Sequence, residues 1–557
     1  MSLVTDATRE WHAGPRCNVV LDDAHVGDIH GAFGTIRRGD HAPRVGWRAR
    51  LKTLLVILGP GLIVMVGDND AGAFGTYSQA GQNYGTSLLW TLLLLIPVLY
   101  VNQEMVLRLG AVSGVGHARL ILERFGRFWG AFSVIDLFLL NALTIITEFI
   151  GISLALGYLG LPKSLGIVAS AALVMIAVST GSFRRFERFA VVLVFGSLLL
   201  VPVTLMVHPP IGPLVRDFLV PKVPQQGVLN EVMLLVVAIV GTTIAPWQLF
   251  FQQSYIVDKR ITPRFIDYER IDLLLGIGLV VIGAAAMIAI AAAVFSGRAE
   301  FGQFTDAGAV AAGLQKYAGR LPATLFALAL IDACIIGAAA VSLATAYAIG
   351  DLLSLRHSLH RAPTQAKGFY GVYFGLILVA AALVLAPDTP LGLLTNAVQT
   401  LAGVLLPSAT VFLLLLCNDK AVLGPWVNTS GLNFFTGAII AVLVMLSLVL
   451  TLSVLFPGIT EGDIVTILVV GSVIAIVVTV AARLMTPAHV STCMRPSSAL
   501  PTSAFERHGW RMPPLDELPP ARLNLASRIW LIVLRVYLLL AGGLVLLRIV
   551  TLVDGGG

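Results

Sequence analysis

Residues 67–73, Gly67-Asp68-Asn69-Asp70-Ala71-Gly72-Ala73 (GDNDAGA), interrupt an apolar run that begins as LLVILGPGLIVMV and resumes as SLLWTLLLLIPVLYV. Two carboxylates, an amide and two helix-weakening glycines have no business inside a helix that faces lipid. A segment in lipid must satisfy its backbone groups internally, so irregular backbone is tolerated only where protein or a cavity surrounds it. The stretch therefore predicts a broken membrane helix with an interior function.

The composition supports a membrane setting. The chain has 557 residues, of which 57% are hydrophobic and 12% charged, with mean hydropathy +0.88. Soluble domains carry about 25% charged residues. Apolar runs long enough to cross a bilayer recur along the sequence. Expected spans lie near 51–80, 85–109, 131–159, 164–181, 189–208, 230–257, 271–297, 321–347, 369–387, 391–416, 433–456, 464–483 and 526–552. The fold class is all-α integral membrane. The net charge of +6 is too modest to argue for nucleic acid, and Cys17, Cys334, Cys417 and Cys493 form neither a disulfide framework nor a zinc pattern. No phosphate loop, nucleophile triad or HExxH pattern appears, so no enzyme is expected. The polar first fifty residues argue against a cleavable leader before span 1.

Lys and Arg in alternate loops set the orientation. They crowd residues 37–52, 119–127, the FRRFER stretch (183–188), DKRITPRFIDYER (258–270) and 356–367, whereas GYLGLP, APDTP and GITEGD carry none. The N-terminal tail, 1–50, is thus expected in the cytoplasm, as is the polar segment 484–524, with the chain in a bacterial inner membrane. Arg184, Arg185 and Arg188 read as lipid head-group anchors, and His117 as a solvated loop residue.

A second mid-span interruption occurs in span 6, at Gly241-Thr242-Thr243-Ile244-Ala245-Pro246-Trp247-Gln248. Pro246 has no N–H to give, which frees carbonyls near Thr242 and Thr243. Spans 1–5 (51–208) and 6–10 (230–416) begin on opposite sides, so the two broken helices open two inverted halves. Paired breaks of this kind point to a transporter site near the bilayer midplane. A carboxylate there is costly without a partner. No Lys or Arg follows Lys52 in span 1 or precedes Lys259 in span 6, which leaves a bound metal cation as the natural partner of Asp70. The plainer alternative is that Asp68 or Asp70 caps the half-helix after the break.

The sequence resembles the NRAMP divalent-metal transporters. GPGLIVMVGDNDAGAFGTYSQAGQNYGTSLLW looks like their first span, with Asp70-Ala71-Gly72-Ala73 on the family's Asp-Pro-Gly-Asn motif. Gln103, RLGAVSG, TEFIG, GTTIAPWQLFFQQS, NAVQTLAGVLLPSA and CNDKAVLG continue the match across roughly 50–430. The resemblance implies the inverted-repeat (5+5) amino-acid/polyamine/cation transporter fold, with spans 11–12 (433–483) and a possible span 13 (526–552) added. It implies a monomeric transport unit. It also implies metal ligands at Asp70, the Gly67 and Thr242 carbonyls and Gln399, with Asp68, Asn69 and Thr243 nearby.

The departures carry information of their own. Ala73 stands where the family has Asn, Ala245 where it has Met and Trp247 where it has His. Thioether sulfur favours transition metals, whereas carboxylate, carbonyl and water suit Mg²⁺, Ca²⁺ and Mn²⁺. Mg²⁺ commonly keeps several waters, and the two alanines make room for them. The expected cargo is Mg²⁺, with Mn²⁺ accepted. Trp247 cannot titrate, and in LTIITEFIG only Glu148 remains of the span-3 acids, so coupling to protons is not expected. The alternatives are a proton-coupled Mn²⁺ carrier and an organic-substrate carrier of the same fold. Asp136 and Asp332 are further intramembrane acids that could line a vestibule.

Overall fold

The structure, a computed structural model, describes residues 23–222, 224, 229–386, 398, 407–455, 460–485, 504–521 and 528–537. Gln399, most of the loop before it, residues 1–22 of the tail, and parts of 484–524 and 526–552 lie outside the described residues.

Eight described helical segments are long and apolar enough to span a membrane, or ten if two bent pairs each count as one span. The first bent pair is α1 (Trp47–Ile57) and α2 (Pro60–Val66), which meet at 54°. Gly59 makes the corner with φ 153°, a left-handed backbone that favours glycine. After the GDND interruption the chain continues as α3 (Ala71–Tyr84), then α4 (Trp90–Ser113), α5 (His117–Phe125) and α6 (Arg127–Leu159). At about 1.5 Å per residue, a helix as long as α6 exceeds the hydrocarbon core and carries its polar ends beyond it. α7 (Lys163–Val178), α8 (Phe183–Gly196) and α9 (Leu200–Val207) complete the first half, and the short α10 (Ile211–Leu219) follows.

The second half opens with α11 (Leu229–Thr243) and α12 (Pro246–Asp258), two pieces of span 6 separated at Ile244 and Ala245. Pro246 occupies the first turn of α12, where its missing N–H costs nothing. Then come α13 (Ile266–Phe295), α14 (Ala307–Ala318), α15 (Arg320–Leu353), α16 (Lys367–Leu385) and α17 (Pro407–Cys417). α18 (Lys420–Leu423), α19 (Ser430–Leu455) and α20 (Glu461–Met485) lie beyond the repeats.

Small residues let the helices around both breaks approach closely. A Cβ at Gly61 would lie 2.7 Å from the Leu273 Cα, and one at Gly276 would lie 2.7 Å from the Gly61 carbonyl oxygen, so α2 rests backbone to backbone on α13. On the other side Gly337 of α15 faces the Glu148 carboxyl, and Gly151 of α6 faces the Cys334 thiol and Ala71.

The tail is not loose polar chain throughout. A two-stranded hairpin, β1 (Ile29–Gly31) and β2 (Gly34–Ile36), packs against α1 and α8. Arg184 donates to the Gly31 carbonyl (3.0 Å) and the Gly34 carbonyl (2.7 Å), and Arg188 donates to the Ala32 carbonyl (2.9 Å). These two arginines therefore hold the hairpin, whereas exposed Arg185 makes no such bond among the described residues. His117 is likewise buried, with Nδ1 2.7 Å from Gln253 Oε1 and its ring edge-on to Phe250. Part of the polar C-terminal segment docks on the same end of the bundle: Arg124 bonds the Pro519 carbonyl (2.6 Å), and Trp426 bonds the Arg507 carbonyl (2.9 Å).

Candidate metal centre

The break in span 1 is held open by two competing hydrogen bonds. In an unbroken helix the Ala71 N–H would reach the Gly67 carbonyl, and Ala73 would reach Asn69. Instead Ala71 donates to Glu148 Oε2 (3.2 Å), and Ala73 donates to Asp70 Oδ1 (3.0 Å). Asp70 is the N-cap of α3, in extended backbone (φ −79°, ψ −169°). Among the described residues no hydrogen bond ends on the Gly67 carbonyl. Capping alone does not exhaust the Asp70 carboxyl, because the cap uses Oδ1; the Glu148 carboxyl also lies within side-chain hydrogen-bond reach of Asp70.

In span 6 the missing N–H of Pro246 releases the Thr242 carbonyl. The neighbouring Thr243 carbonyl is taken by Gln248 Nε2 (3.3 Å), whose Oε1 accepts from Gln103 of α4 (2.9 Å). The Thr243 hydroxyl lies 2.5 Å from the Ile239 carbonyl and 2.7 Å from the Tyr77 hydroxyl. Thr243 is therefore committed to structure, and among the described residues no hydrogen bond ends on the Thr242 carbonyl.

Asp68 is 2% exposed, and neither of its carboxylate oxygens makes a close hydrogen bond among the described residues, the Gln248 amide being the polar side chain beside it. A buried polar atom left this way costs free energy unless something absent satisfies it. Asn69 turns elsewhere: its Nδ2 donates to the Val280 carbonyl on α13 (3.2 Å), seating span 1 against span 7. Ala73 is fully buried, and Ala245, the N-cap of α12, is half-buried in extended backbone. Trp247 is 1% exposed, and its indole edge lies 3.5 Å from where a Cβ on Gly67 would stand, so the two breaks face each other across it.

Gln248, Gln103, Tyr77 and Cys334 were not singled out as site residues from sequence. Gln248 sits two residues after Pro246, and only the fold reveals that it crosses to Gln103. The Cys334 thiol packs on Gly151 and Ala71, behind α3. Among the described residues no three His, Cys, Asp or Glu side chains converge closely enough to hold a metal ion. A cation at this centre would rest on one or two carboxylates and on main-chain oxygen. Asp136 accepts from Ser408 (3.1 Å) in a cleft that reaches Pro246, while Asp332 abuts Gly196.

An all-helical bundle whose two halves each begin with an interrupted helix, with the interruptions meeting in its interior, defines a secondary transporter of the inverted-repeat class. The model of the Nramp family (natural resistance-associated macrophage protein-like) matches residues 61–453, and the chain belongs to that family. It is 29% identical over 413 residues to a divalent metal cation transporter, MntH, of Ralstonia nicotianae, covering 70% of this chain and 90% of the relative. An MntH of Deinococcus radiodurans is 28% identical over 433 residues, covering 74% and 92%. A solved manganese transporter of Eremococcus coleocola, bound to an aromatic bis-isothiourea compound, superposes with a TM-score of 0.61 at 21% identity. That match covers 78% of this chain and 94% of the other. A variant of the same transporter gives 0.62, with 82% and 97% covered. The chain is an integral membrane protein sharing their fold.

Proposed function

We propose that the protein carries divalent cations across the membrane by alternating access, with Mg²⁺ as principal cargo and Mn²⁺ accepted, and without proton coupling. What supports this reading is the chemistry of the residues at the two breaks: the Asp70 carboxylate beside main-chain carbonyls released at Gly67 and Thr242, with alanine, which has no donor side chain, at 73 and 245. Oxygen donors with space for retained water suit a hard, strongly hydrated ion. Asp68 supplies a second carboxylate for the ion's water shell, and Gln399 of span 10 is proposed as a further ligand. Residues 51–208 and 230–416 are taken as the two repeats and the N-terminus as cytoplasmic.

Asp70 neutralises part of the ion's charge, and the broken helices direct carbonyl oxygens at the remainder. Trp247 fills the position from which a titratable side chain could accept a proton. Glu148 keeps its oxygen on the Ala71 N–H, an anchoring role that does not require proton release. An inside-negative potential would drive uptake by about 4.6 kcal/mol per 100 mV for a divalent charge.

The names of the relatives, a divalent metal cation transporter and a manganese transporter, support Mn²⁺ as the cargo in a second reading, to which proton coupling is added as a further assumption. The two separate in proteoliposomes loaded with dyes for Mg²⁺, Mn²⁺ and internal pH. Saturable, potential-driven Mg²⁺ entry with constant internal pH is the expected result. Mn²⁺ entry with acidification and no Mg²⁺ flux would replace the first reading with the second.

A further inference from the structure

A group of buried charges lies far from Asp70, and all of it bears on one glycine. The corner between α1 and α2 is Leu58–Gly59. Lys259, at the end of α12, donates from Nζ to the Ile57 carbonyl (2.6 Å) and the Leu58 carbonyl (3.0 Å). Its ammonium also pairs with Glu187 of α8 (2.6 Å), and both side chains are fully buried. Asp272 of α13 accepts from the Gly59 N–H (3.1 Å) and the Gly61 N–H (2.7 Å), capping a helix start that has no side-chain cap of its own. A Cβ at Gly59 would collide with the Glu187 carboxylate. The hairpin joins the same group, because the Ala32 N–H bonds Glu187 Oε2. Glu269, one turn before Asp272, is buried with neither oxygen hydrogen-bonded among the described residues.

We propose that Lys259, Glu187 and Asp272 are positioning residues that latch the Gly59 hinge, holding α2 against α13, and that each transport cycle releases this latch on the side of the N-terminus. The inference rests on the transporter reading but not on the identity of the ion.

Three features support a latch over a permanent weld. First, the main-chain bonds of Lys259 and Asp272 all fall on residues 57–61, around a left-handed glycine at the joint between two pieces bent by 54°. Second, α2 runs directly into Gly67, so a rotation at Gly59 carries a candidate ligand carbonyl with it. Third, the α2–α13 contact is backbone on backbone at Gly61 and Gly276, where no large side chain of either residue has to disengage. Charged groups are costly to hold in a dry interior and regain hydration when water reaches them. A latch of charges is therefore firm while sealed and yields once wetted.

The test is the accessibility of Met65, a fully buried residue of α2. Met65→Cys is introduced in a full-length protein whose four native cysteines are replaced. Its reaction with a membrane-impermeant maleimide is timed from the side bearing the N-terminus. Lys259→Gln and Asp272→Asn are each expected to raise the labelling rate at least fivefold, while Lys259→Arg stays within twofold of the parent. Gly31→Val, which would press a side chain into the Val56 carbonyl and lift the hairpin without removing a charge, is expected to give a smaller increase. Labelling within twofold of the parent in both Lys259→Gln and Asp272→Asn, in monodisperse protein, would overturn the proposal. If Lys259→Gln fails to fold, Asp272→Asn with Gly31→Val decides the matter, and parental rates in both overturn it. Because labelling needs no cargo, failure here is distinct from failure to carry Mg²⁺.

Discussion

Replacing Asp70 by Asn and by Ala separates the capping of α3 from the ion binding proposed for this side chain. Its Oδ1 accepts the Ala73 N–H at 3.0 Å, and that task needs an oxygen but no charge. Asn caps a helix about as well as Asp, whereas Ala costs about 1 kcal/mol. The second task needs the charge. At about 4 Å and an effective dielectric of about 20, two unit charges attract by about 4 kcal/mol, so a divalent ion gains about 8 kcal/mol from one carboxylate. Dehydration of ion and carboxylate returns most of that sum. If one quarter survives, about 2 kcal/mol is lost in either variant, or about thirtyfold in affinity. Asp70→Asn should therefore unfold at the wild-type temperature and bind Mg²⁺ at least about thirtyfold more weakly by titration calorimetry, with flux reduced to match. Asp70→Ala should show the same binding loss and a lower unfolding temperature. Wild-type affinity and flux in Asp70→Asn would show that Asp70 is a cap alone, and the oxygen site would have to be sought around Asp68.

Glu148→Gln keeps a side-chain oxygen for the Ala71 N–H; uptake within threefold of wild type and no change in internal pH are expected, and loss of flux would return Glu148 to proton chemistry. Glu148→Ala leaves that N–H unpaired, at about 1–3 kcal/mol, and should show as reduced thermal stability. Ala245→Met places a thioether at an extended, half-buried N-cap position, and should let Mn²⁺ or Cd²⁺ inhibit Mg²⁺ uptake at about tenfold lower concentration; unchanged inhibition would mean that position 245 does not face the ion. The His117 imidazole, outside the spans, is pushed down to about 4 by burial, against the bond to Gln253. Its folded form resists protonation, so stability is full above the unfolded value of 6.5 and falls as pH drops toward about 4, by about 3 kcal/mol at 1.36 kcal/mol per unit. His117→Gln should flatten the acid limb of an unfolding series between pH 4 and 8, and an unaltered limb would reject that assignment. His357 works in the opposite sense: burial lowers its pKa, but Asp351, 3.1 Å away, outweighs this and raises it overall. Its contribution is complete below 6.5 and fades as pH rises through the folded value.

The breaks were legible because their causes are local. Gly67, Gly72, Pro246 and the acids beside them are out of place in any lipid-facing helix, and so they announce an interior. The corner at Gly59 lies within LGPG, yet residues 51–80 read as one span, since composition alone cannot tell a bent helix from a straight one. What stayed hidden joins distant parts of the chain. Gln103 reaches Gln248 across 145 residues, and Lys259 reaches Ile57 across 202. Arg184 and Arg188 looked like head-group anchors because basic residues at a membrane edge usually are; only the folded hairpin supplied the carbonyls that claim them. His117 misled for the same reason, its partner Gln253 lying on a helix that begins well over a hundred residues later.

The Gly67 and Thr242 oxygens belong to the main chain, and this limits how such a centre can change over time. No substitution deletes a carbonyl, so the two oxygens persist through drift that would erase any side-chain ligand. What varies is the frame around them: the bulk at 73, the donor at 245, the ring at 247. A lineage can thus exchange one cargo for another by rewriting three walls while the floor stays in place. For the same reason an alanine scan of this protein would report Asp70 strongly and leave much of the binding energy unseen.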